Sequence, residues 1–196
     1  MQIAPVTLVG RHVRLEPLAL AHLDALCAVS LDPDIWRWMP APVTNRDELR
    51  AYFEEALRGQ QAGVMLPFAT VAQADHRVVG CTRYGAIERV HRRVEIGWTW
   101  VARPWQRTAI NTEAKYLMLR HAFESLGCIR VELKTDALNE RSRAAILRLG
   151  AREEGTLRQH FIVVGGRLRD TVYYSLLDRE WPEVKARLET RLAQPV

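Results

Sequence analysis

The chain has 196 residues, 48% of them hydrophobic and 26% charged, so it can bury a core and is too apolar for wholesale disorder. No apolar run approaches a membrane span of roughly 18 residues, and the N-terminus lacks the basic start and apolar stretch of a secretory signal. Three widely spaced cysteines indicate neither a disulfide framework nor a zinc site. These features predict a cytoplasmic protein with one domain spanning residues 1–196 and no membrane partner.

The formal net charge of +5 suggests an anionic partner. Nearly all the cations are arginines, whose planar fork suits phosphate and carboxylate, although biased codon usage is the simpler explanation. The densest basic run, residues 89–93, is short and turn-like. Direct nucleic-acid binding is therefore not predicted. An indirect association with the ribosome is still compatible with the sequence.

The first half of the chain predicts two short strands, two helices and three longer strands. Val, Ile and aromatic residues bounded by turn residues indicate the strands, and apolar residues spaced three or four apart indicate the helices. The strands are expected at 7–9, 13–15, 66–71, 78–84 and 94–101, and the helices at 22–29 and from 44–47 onward. Between the helices lies a proline-punctuated segment containing Trp36 and Trp38.

The second half predicts a helix over 111–126, a buried strand over 129–135 and a short helix over 139–149. Strands at 157–164 and 168–177 then form a hairpin joined at Gly165-Gly166, and a last helix begins at residues 180–182. With no repeats and no long linker, this order predicts one mixed α/β layer fold.

The passage from residue 95 to residue 114 runs from a strand directly into a helix. A helix N-terminus offers free N–H groups and the positive end of the helix dipole, which suits a phosphate. Here Thr108 and Ala109 are small, Thr108 and Asn111 can add hydrogen bonds, and Arg107 adds a positive charge. Taken alone this signal is weak, because many such turns bind nothing.

A second helix start lies at residues 135–142. Asn139 is expected to cap this helix and Gly150 to end it. Because only one strand separates it from the preceding helix, the two N-termini can lie side by side at the carboxyl ends of neighbouring strands, where ligands of open α/β sheets collect.

These windows together resemble the GNAT acyl-CoA N-acyltransferases, in particular the RimJ/RimL-like branch that acetylates ribosomal-protein N-termini. The resemblance extends in order along nearly the whole chain. It implies a mixed α+β fold with a central, mostly antiparallel twisted sheet and helices on both faces. Its matching stretches are 10–18, 95–97, 112–114, 122–127, 139–142, 147–151, 154–158, Asp170, 174–177 and 180–181.

The resemblance implies transfer of an acetyl group from acetyl-CoA to a primary amine by direct attack in a ternary complex, without a metal. The acceptor would be a protein N-terminus or a small amine. Pantetheine would pair with main chain near Thr99, Trp100 and Val101, and Asn139 would contact the thioester region. The pyrophosphate would lie on Gln106, Arg107, Thr108, Ala109, Ile110 and Asn111.

The chain departs from the family pattern at three places. Ala109 and Asn111 stand where small residues, usually glycine, are typical of the pyrophosphate loop. One additional residue lies between Glu95 and Thr112, which suggests a bulge or a longer loop. Ile146 occupies the position of the tyrosine that often protonates the thiolate, so Ser142 or solvent would have that role.

Glu95 is the candidate base, because an amine attacks a thioester only when it is unprotonated. Strand alternation predicts Glu95, Gly97 and Thr99 on one face, and Val94, Ile96 and Trp98 on the other. Gly97 would leave room for substrate beside the carboxylate. The alternative interpretation is a solvent-facing or salt-bridged glutamate without a catalytic role.

An alternative function is a non-catalytic acyl-CoA-binding or regulatory module on the same fold, which the altered loop and the missing tyrosine favour. The acceptor pocket is expected between residues 32–45 and 158–170, where Arg37 and two tryptophans suggest a peptide or amino-acid-like acceptor. The hairpin and the last helix offer surfaces for a homodimer.

Overall fold

The computed structural model describes residues 1–39 and 41–194, so Pro40 of the expected acceptor segment lies outside the described residues. Eight strands form one sheet in the order β1-β2-β3-β4-β5-β6-β8-β7. The strands are β1 (Leu8–Val9), β2 (Val13–Pro17), β3 (Leu66–Ala72), β4 (Val78–Glu88), β5 (Arg93–Val101), β6 (Arg130–Asp136), β7 (Arg152–Ile162) and β8 (Leu168–Leu177). Strands β5 and β6 are parallel and the other neighbours are antiparallel, which confirms the expected mostly antiparallel sheet.

Six helices connect or flank the strands, and side chains in the sequence fix several of their ends. The Asn45 side chain accepts the N–H groups of Asp47 and Glu48, and Gly150 ends a helix at a φ of +100° that favours glycine. The helices are α1 (Leu23–Ser30), α2 (Pro33–Trp36), α3 (Arg46–Gln61), α4 (Ala109–Arg120), α5 (Glu140–Leu149) and α6 (Trp181–Ala193).

The sheet separates two hydrophobic clusters. The larger cluster packs α4, α5 and α6 against one face through residues such as Leu117, Ile146 and Leu188. The smaller cluster packs α1 and α3 against the other face through residues such as Leu26 and Phe53. Helices therefore cover both faces, as expected.

Some boundaries differ from the sequence-based prediction. Strand β7 begins at Arg152 rather than at 157, because its charged first residues pair with β8 as an exposed edge strand. The helix expected over 111–126 begins two residues earlier, behind the cap Thr108. It loosens into a π-helical turn at His121–Ser125 before Gly127.

A bulge in β5 reverses the expected alternation after Gly97. Gly97 pairs with Arg83 and Trp100 pairs with Cys81, so β5 has one residue more than β4 over this stretch. Trp98 adopts a φ of +49°, and its side chain joins the face of Glu95 and Gly97. Thr99 turns to the opposite face, so the predicted faces of Trp98 and Thr99 were wrong. The bulge lies in the stretch between Glu95 and Thr112, where the sequence predicted one additional residue.

Glu113 of α4 anchors the N-terminal strands. Its carboxylate accepts the backbone N–H groups of Arg11 (2.9 Å), His12 (2.6 Å) and Val13 (2.8 Å). A Cβ atom at Gly10 would lie 2.5 Å from this carboxyl group, so the turn needs glycine. Glu113, which matches the family pattern, therefore has a structural role, since its carboxylate accepts hydrogen bonds from three main-chain N–H groups at the turn from β1 into β2.

Glu113→Ala should lower the free energy of unfolding by about 3 kcal/mol, because it leaves three main-chain N–H donors, one of them buried, without a partner. Chemical denaturation measures this loss. Glu55→Ala, at an exposed position of α3, is the matched control and should change stability by less than about 0.5 kcal/mol. Equal effects of the two substitutions would contradict the anchoring role.

Lys115 of α4 is buried against the sheet without a carboxylate partner in the described part of the chain. Its ammonium group donates to the hydroxyl of Thr82 at 3.1 Å and to that of Thr99. Burial lowers the pKa of Lys115 from 10.5 to about 7. The folded chain therefore resists taking up a proton that the unfolded chain accepts readily.

The free energy of unfolding should depend on pH through Lys115. Between pH values of about 7 and 10.5 the unfolded chain binds one more proton, so protonation favours unfolding and stability rises with pH. The stability of the native chain relative to Lys115→Met should rise by up to about 1.4 kcal/mol per pH unit in this window and level off below it. Other groups titrate in both proteins and cancel in the difference, and parallel curves would contradict the assignment.

Candidate active site

Strands β5 and β6 separate after a short parallel contact. Their register covers Arg93 to Glu95 against Arg130 to Glu132, whereas β6 continues to Asp136 paired with β8. The edge of β5 beyond Glu95 therefore faces an opening, which we call the wedge. An extended chain can add to such an unpaired strand edge by hydrogen bonding.

Val101 presents main-chain groups to the wedge. The Ala102 N–H donates to the Val79 carbonyl at 2.8 Å, which makes Gly80 and Val101 a non-hydrogen-bonded pair. The N–H and C=O of Val101 therefore point away from β4. The carbonyl accepts a hydrogen bond from Gln106 Nε2 at 2.8 Å, which leaves the N–H for another partner.

The main chain of Trp100 is oriented differently from that of Val101, and the Thr99 side chain lies on the α4 face. By the same alternation, the main-chain groups of Trp100 face Cys81 in β4, and its ring packs on Trp36 with 5.5 Å between centroids. The expected main-chain contact of Trp100 is therefore not supported. The Thr99 hydroxyl is held by Lys115 on the α4 face, so this side chain does not line the face of Glu95.

The first turn of α4 lies at the same end of β5. Thr108 caps this helix, since its hydroxyl accepts the Ile110 N–H at 3.3 Å and donates to the Trp105 carbonyl. Ile110 is buried in the larger core cluster, so its side chain cannot contact a ligand and its N–H is already capped. Ala109 is half-buried and brings no bulky group to the turn.

The charge at this helix start suits an anion. The first turn of α4 contains no acidic residue, so the positive end of the helix dipole is not neutralised locally. Arg107, at a φ of +63°, is exposed beside it. The Asn111 side-chain oxygen is buried and has no hydrogen-bond partner among the described residues. As an acceptor, that oxygen matches an N–H donor rather than a phosphate oxygen.

Gln106 joins the starts of α4 and α5. Its amide donates to the Val101 carbonyl and accepts from Arg141 at 2.9 Å. At the start of α5 the Asn139 side chain accepts the Ser142 N–H at 3.1 Å, as expected of an N-cap. The two helix starts therefore lie side by side, as the sequence predicted.

A cavity of about 310 Å³ opens beside this junction. It lies between the first turn of α5 and the segment around α2, so it connects the predicted cofactor residues with the predicted acceptor segment. Its lining includes Ile35, Arg37, Trp38, Gln106, Asn139 and Arg141.

Glu95 is buried and paired on the face of β5 opposite α4. Its Oε2 lies 2.8 Å from Lys134 Nζ. Without bound substrate, Glu95 is therefore salt-bridged, as one of the two sequence-based interpretations expected. Its Oε1 lies over Gly97, where a Cβ atom would approach it to 2.7 Å. One carboxylate oxygen is thus paired, and the other lies above a residue without a side chain.

Arg83 is a residue of this face that the sequence analysis missed. It is 1% exposed, and its guanidinium lies 4.3 Å from the Tyr52 ring centroid and 5.3 Å from that of Trp98. Its Nη2 has no hydrogen-bond partner in the described part of the chain. The sequence does not indicate that an arginine within a strand is buried, because the side chains that enclose Arg83 come from distant parts of the chain.

The two segments expected to form the acceptor pocket do meet. Arg169 Nη1 donates to the Trp38 carbonyl at 3.3 Å, and Arg167 lies near the Trp38 ring. Arg167 also pairs with the carboxylate of Asp136, which is 1% exposed. The sequence analysis pointed to this region but did not single out Asp136 or Arg169.

The residue at the position of the usual tyrosine lies in the core. Ile146 is buried among the aliphatic side chains of the larger cluster, so α5 brings no phenol there. Ser142, one turn earlier, is half-buried at the start of α5. The residues described hold no cluster of three or more potential metal ligands and no helix that could cross a membrane.

Comparison with known proteins gives the family. The family model described as an acetyltransferase (GNAT) domain matches residues 12–152. The Bacillus subtilis protein YdaF, named as a ribosomal N-acetyltransferase, is 36% identical over 125 residues, which are 64% of this chain and 63% of YdaF. The N-acetyltransferase YoaA of the same organism is 30% identical over 51% of this chain and 55% of its own length. The chain thus spans less than two thirds of the curated relatives it matches.

Solved structures agree over nearly the whole chain. A GCN5-related N-acetyltransferase from Brucella melitensis has a TM-score of 0.91 at 33% identity, over 97% of this chain and 87% of that one. RimJ of Mycobacterium smegmatis, solved in complex with CoA-disulfide, has a TM-score of 0.84 at 25% identity and 95% coverage of both chains. The chain therefore belongs to the GNAT acetyltransferase family, and its relatives are consistent with the RimJ/RimL-like branch.

Proposed function

We propose that this protein is an N-acetyltransferase that moves an acetyl group from acetyl-CoA to a primary amine by direct attack in a ternary complex. The observation that carries the proposal is the wedge between β5 and β6, which opens beside the first turn of α4 and the buried carboxylate of Glu95. An unpaired strand edge, a helix N-terminus and a carboxylate suit pantetheine, pyrophosphate and an amine, respectively.

The cofactor is assigned to the residues around the wedge. The Val101 N–H and the main chain of Thr99 would pair with the amides of pantetheine. Main-chain groups and side chains from Gln106 to Asn111 would hold the pyrophosphate, with Arg107 as the local charge. Asn139, at the start of α5, would contact the thioester region, and acetyl-CoA supplies the activated acyl group.

Glu95 would accept the proton of the acceptor amine, directly or through a water. Its Oε1, above the open space at Gly97, is the oxygen free for this step. Lys134 would keep the carboxylate in place by holding Oε2. The departing thiolate would be protonated by Ser142 or by solvent, since Ile146 has no proton to give.

A non-catalytic acyl-CoA-binding module is the second candidate. The buried Ile146 and the pairing of Glu95 with Lys134 favour it, because both reduce the number of groups free for proton transfer. Acetyl-CoA binding without transfer to any amine would identify this function.

We further propose that the acceptor is a protein N-terminus or a small amine, and that the chain works in the cytoplasm as one domain. The YdaF and RimJ resemblances support a peptide acceptor. The exposed edge strand β7 and helix α6 are the surfaces we assign to a possible homodimer. Direct nucleic-acid binding is not proposed.

Acetyl-CoA should bind to the native protein, and Glu95→Gln should retain this affinity while lowering kcat by about 10²-fold or more, because general base catalysis is lost. Calorimetry measures binding, and thiol release in the presence of a panel of amines measures turnover. Failure to bind acetyl-CoA at sub-millimolar protein would contradict the proposed function. Unchanged turnover would remove only Glu95 from the mechanism.

Gly97→Ala should also lower kcat, by about tenfold or more, because its Cβ atom would lie 2.7 Å from Oε1 of Glu95 and force the carboxylate to move. Acetyl-CoA affinity should stay close to native, since the contact lies on the other face of β5 from Lys115 and α4. Thr156→Ala, at an exposed position of β7, controls for general effects of a substitution in the sheet. A kcat equal to that of Thr156→Ala would argue against the role of this space.

A further inference from the structure

Among the residues that the structure describes, the buried charged residues on the face of the sheet that carries Glu95 are two carboxylates, Glu95 and Asp136, and two arginines, Arg83 and Arg169. Glu95 pairs with Lys134, and Asp136 pairs with Arg167. Arg83 has no ion pair in the described part of the chain, and the Nε of Arg169 lies 3.9 Å from Asp136, beyond hydrogen-bond reach. Buried positive charge without a partner is unfavourable, so this face is suited to a ligand that brings negative charge.

Arg169 and Thr171 provide adjacent hydrogen-bond donors on β8. Arg169 is 6% exposed and Thr171 is 0% exposed. Arg169 Nε and the Thr171 hydroxyl have no hydrogen-bond partner among the described residues. Because they stand two positions apart in one strand, they share a face of the sheet. A carboxylate has two oxygens and can accept from both donors.

The same face connects these donors with Glu95. Thr171 and Tyr173 of β8 pair with Asp136 and Lys134 of β6, and Lys134 contacts Glu95. Burial lowers the pKa of Arg169 below its ordinary value, and the charges of Asp136 and Glu95 oppose this shift. Strand pairing and alternation therefore place Arg169 on the same face of the sheet as Glu95.

The spacing favours a peptide over a free amino acid. Arg169 lies four residues along β8 from Tyr173, the partner of Lys134, which corresponds to about 13 Å of strand. Even with the reach of the arginine side chain, an acceptor with its amine beside Glu95 and its anionic group at Arg169 needs several bonds between the two groups. In a free amino acid the α-carboxylate is too close to the amine for the amine to lie beside Glu95 while the carboxylate binds Arg169.

We propose that Arg169, with Thr171, determines specificity for an acceptor peptide that has an acidic side chain within its first few residues. The peptide amine lies toward Glu95, and the acidic side chain binds Arg169 Nε and the Thr171 hydroxyl. This inference rests on the proposed function, because it assigns the acceptor of the same site. Its recognition step is measured by binding and does not require transfer.

Calorimetry of peptides on the CoA-saturated native protein tests it. The probes are two amidated hexapeptides that are identical except for Glu or Gln at the second position. The Glu peptide should bind about tenfold or more tightly, as expected for a charge-assisted pair. Arg169→Gln should remove this advantage by weakening the binding of the Glu peptide alone, whereas Arg148→Gln, at an exposed position in the last turn of α5, should retain it.

Two further variants keep the test decisive if Arg169→Gln does not fold. Arg169→Lys should retain part of the preference, because it keeps the charge and loses the planar fork. Thr171→Val should reduce the preference several-fold. Where transfer occurs, the same preference should appear in KM.

Equal affinity for the two peptides, or tighter binding of the Gln peptide, would overturn the inference even if both are acetylated. A preference for free amino acids or for polyamines over both peptides would overturn it in the same way and leave the acetyltransferase proposal standing. Conversely, a protein that binds the Glu peptide through Arg169 but never transfers an acetyl group would retain the inference and refute the proposed catalysis.

Discussion

Strands β5 and β6 pair over only three residues and then separate. Each keeps its neighbour on the other side: β6 stays in register with β8 over seven positions, and β5 follows β4 through the bulge at Trp98. The wedge that results leaves a strand edge unpaired inside the protein, next to the start of α4. Every residue assigned to the cofactor lies around this opening.

The two faces of the sheet differ in polarity around the wedge. The face covered by α4 and α6 is mostly apolar and holds Lys115 as an isolated buried amine. The opposite face carries buried ion pairs at Glu95 and Asp136. Buried ion pairs add little net stability compared with apolar packing, since desolvation offsets their attraction. Their concentration near the wedge agrees with the handling of the acceptor that we propose.

Much of the fold could be predicted from the sequence, because the signals involved are local. Alternation and helical spacing gave the order of the elements, and Asn45, Asn139 and Gly150 marked helix ends by their own capping chemistry. The ordered match to family motifs indicated the site region, including the side-by-side starts of α4 and α5. Boundaries were missed at β7, where pairing with β8 extends a polar stretch that has no strand pattern of its own.

The sequence by itself determined most of the elements, their order and the family of this protein, since these depend largely on local patterns. Helix α2, inside the proline-punctuated segment, was missed. Only the tertiary structure decided that Glu113 anchors main chain 100 residues away. It also decided that Thr99 and Trp98 lie on the faces of β5 opposite to those that strand alternation predicts, and that Lys134 forms a salt bridge with Glu95. The physical reason is that hydrogen bonds and ion pairs between distant segments depend on register and sheet twist. A one-residue bulge changes both without leaving a recognisable pattern in the sequence.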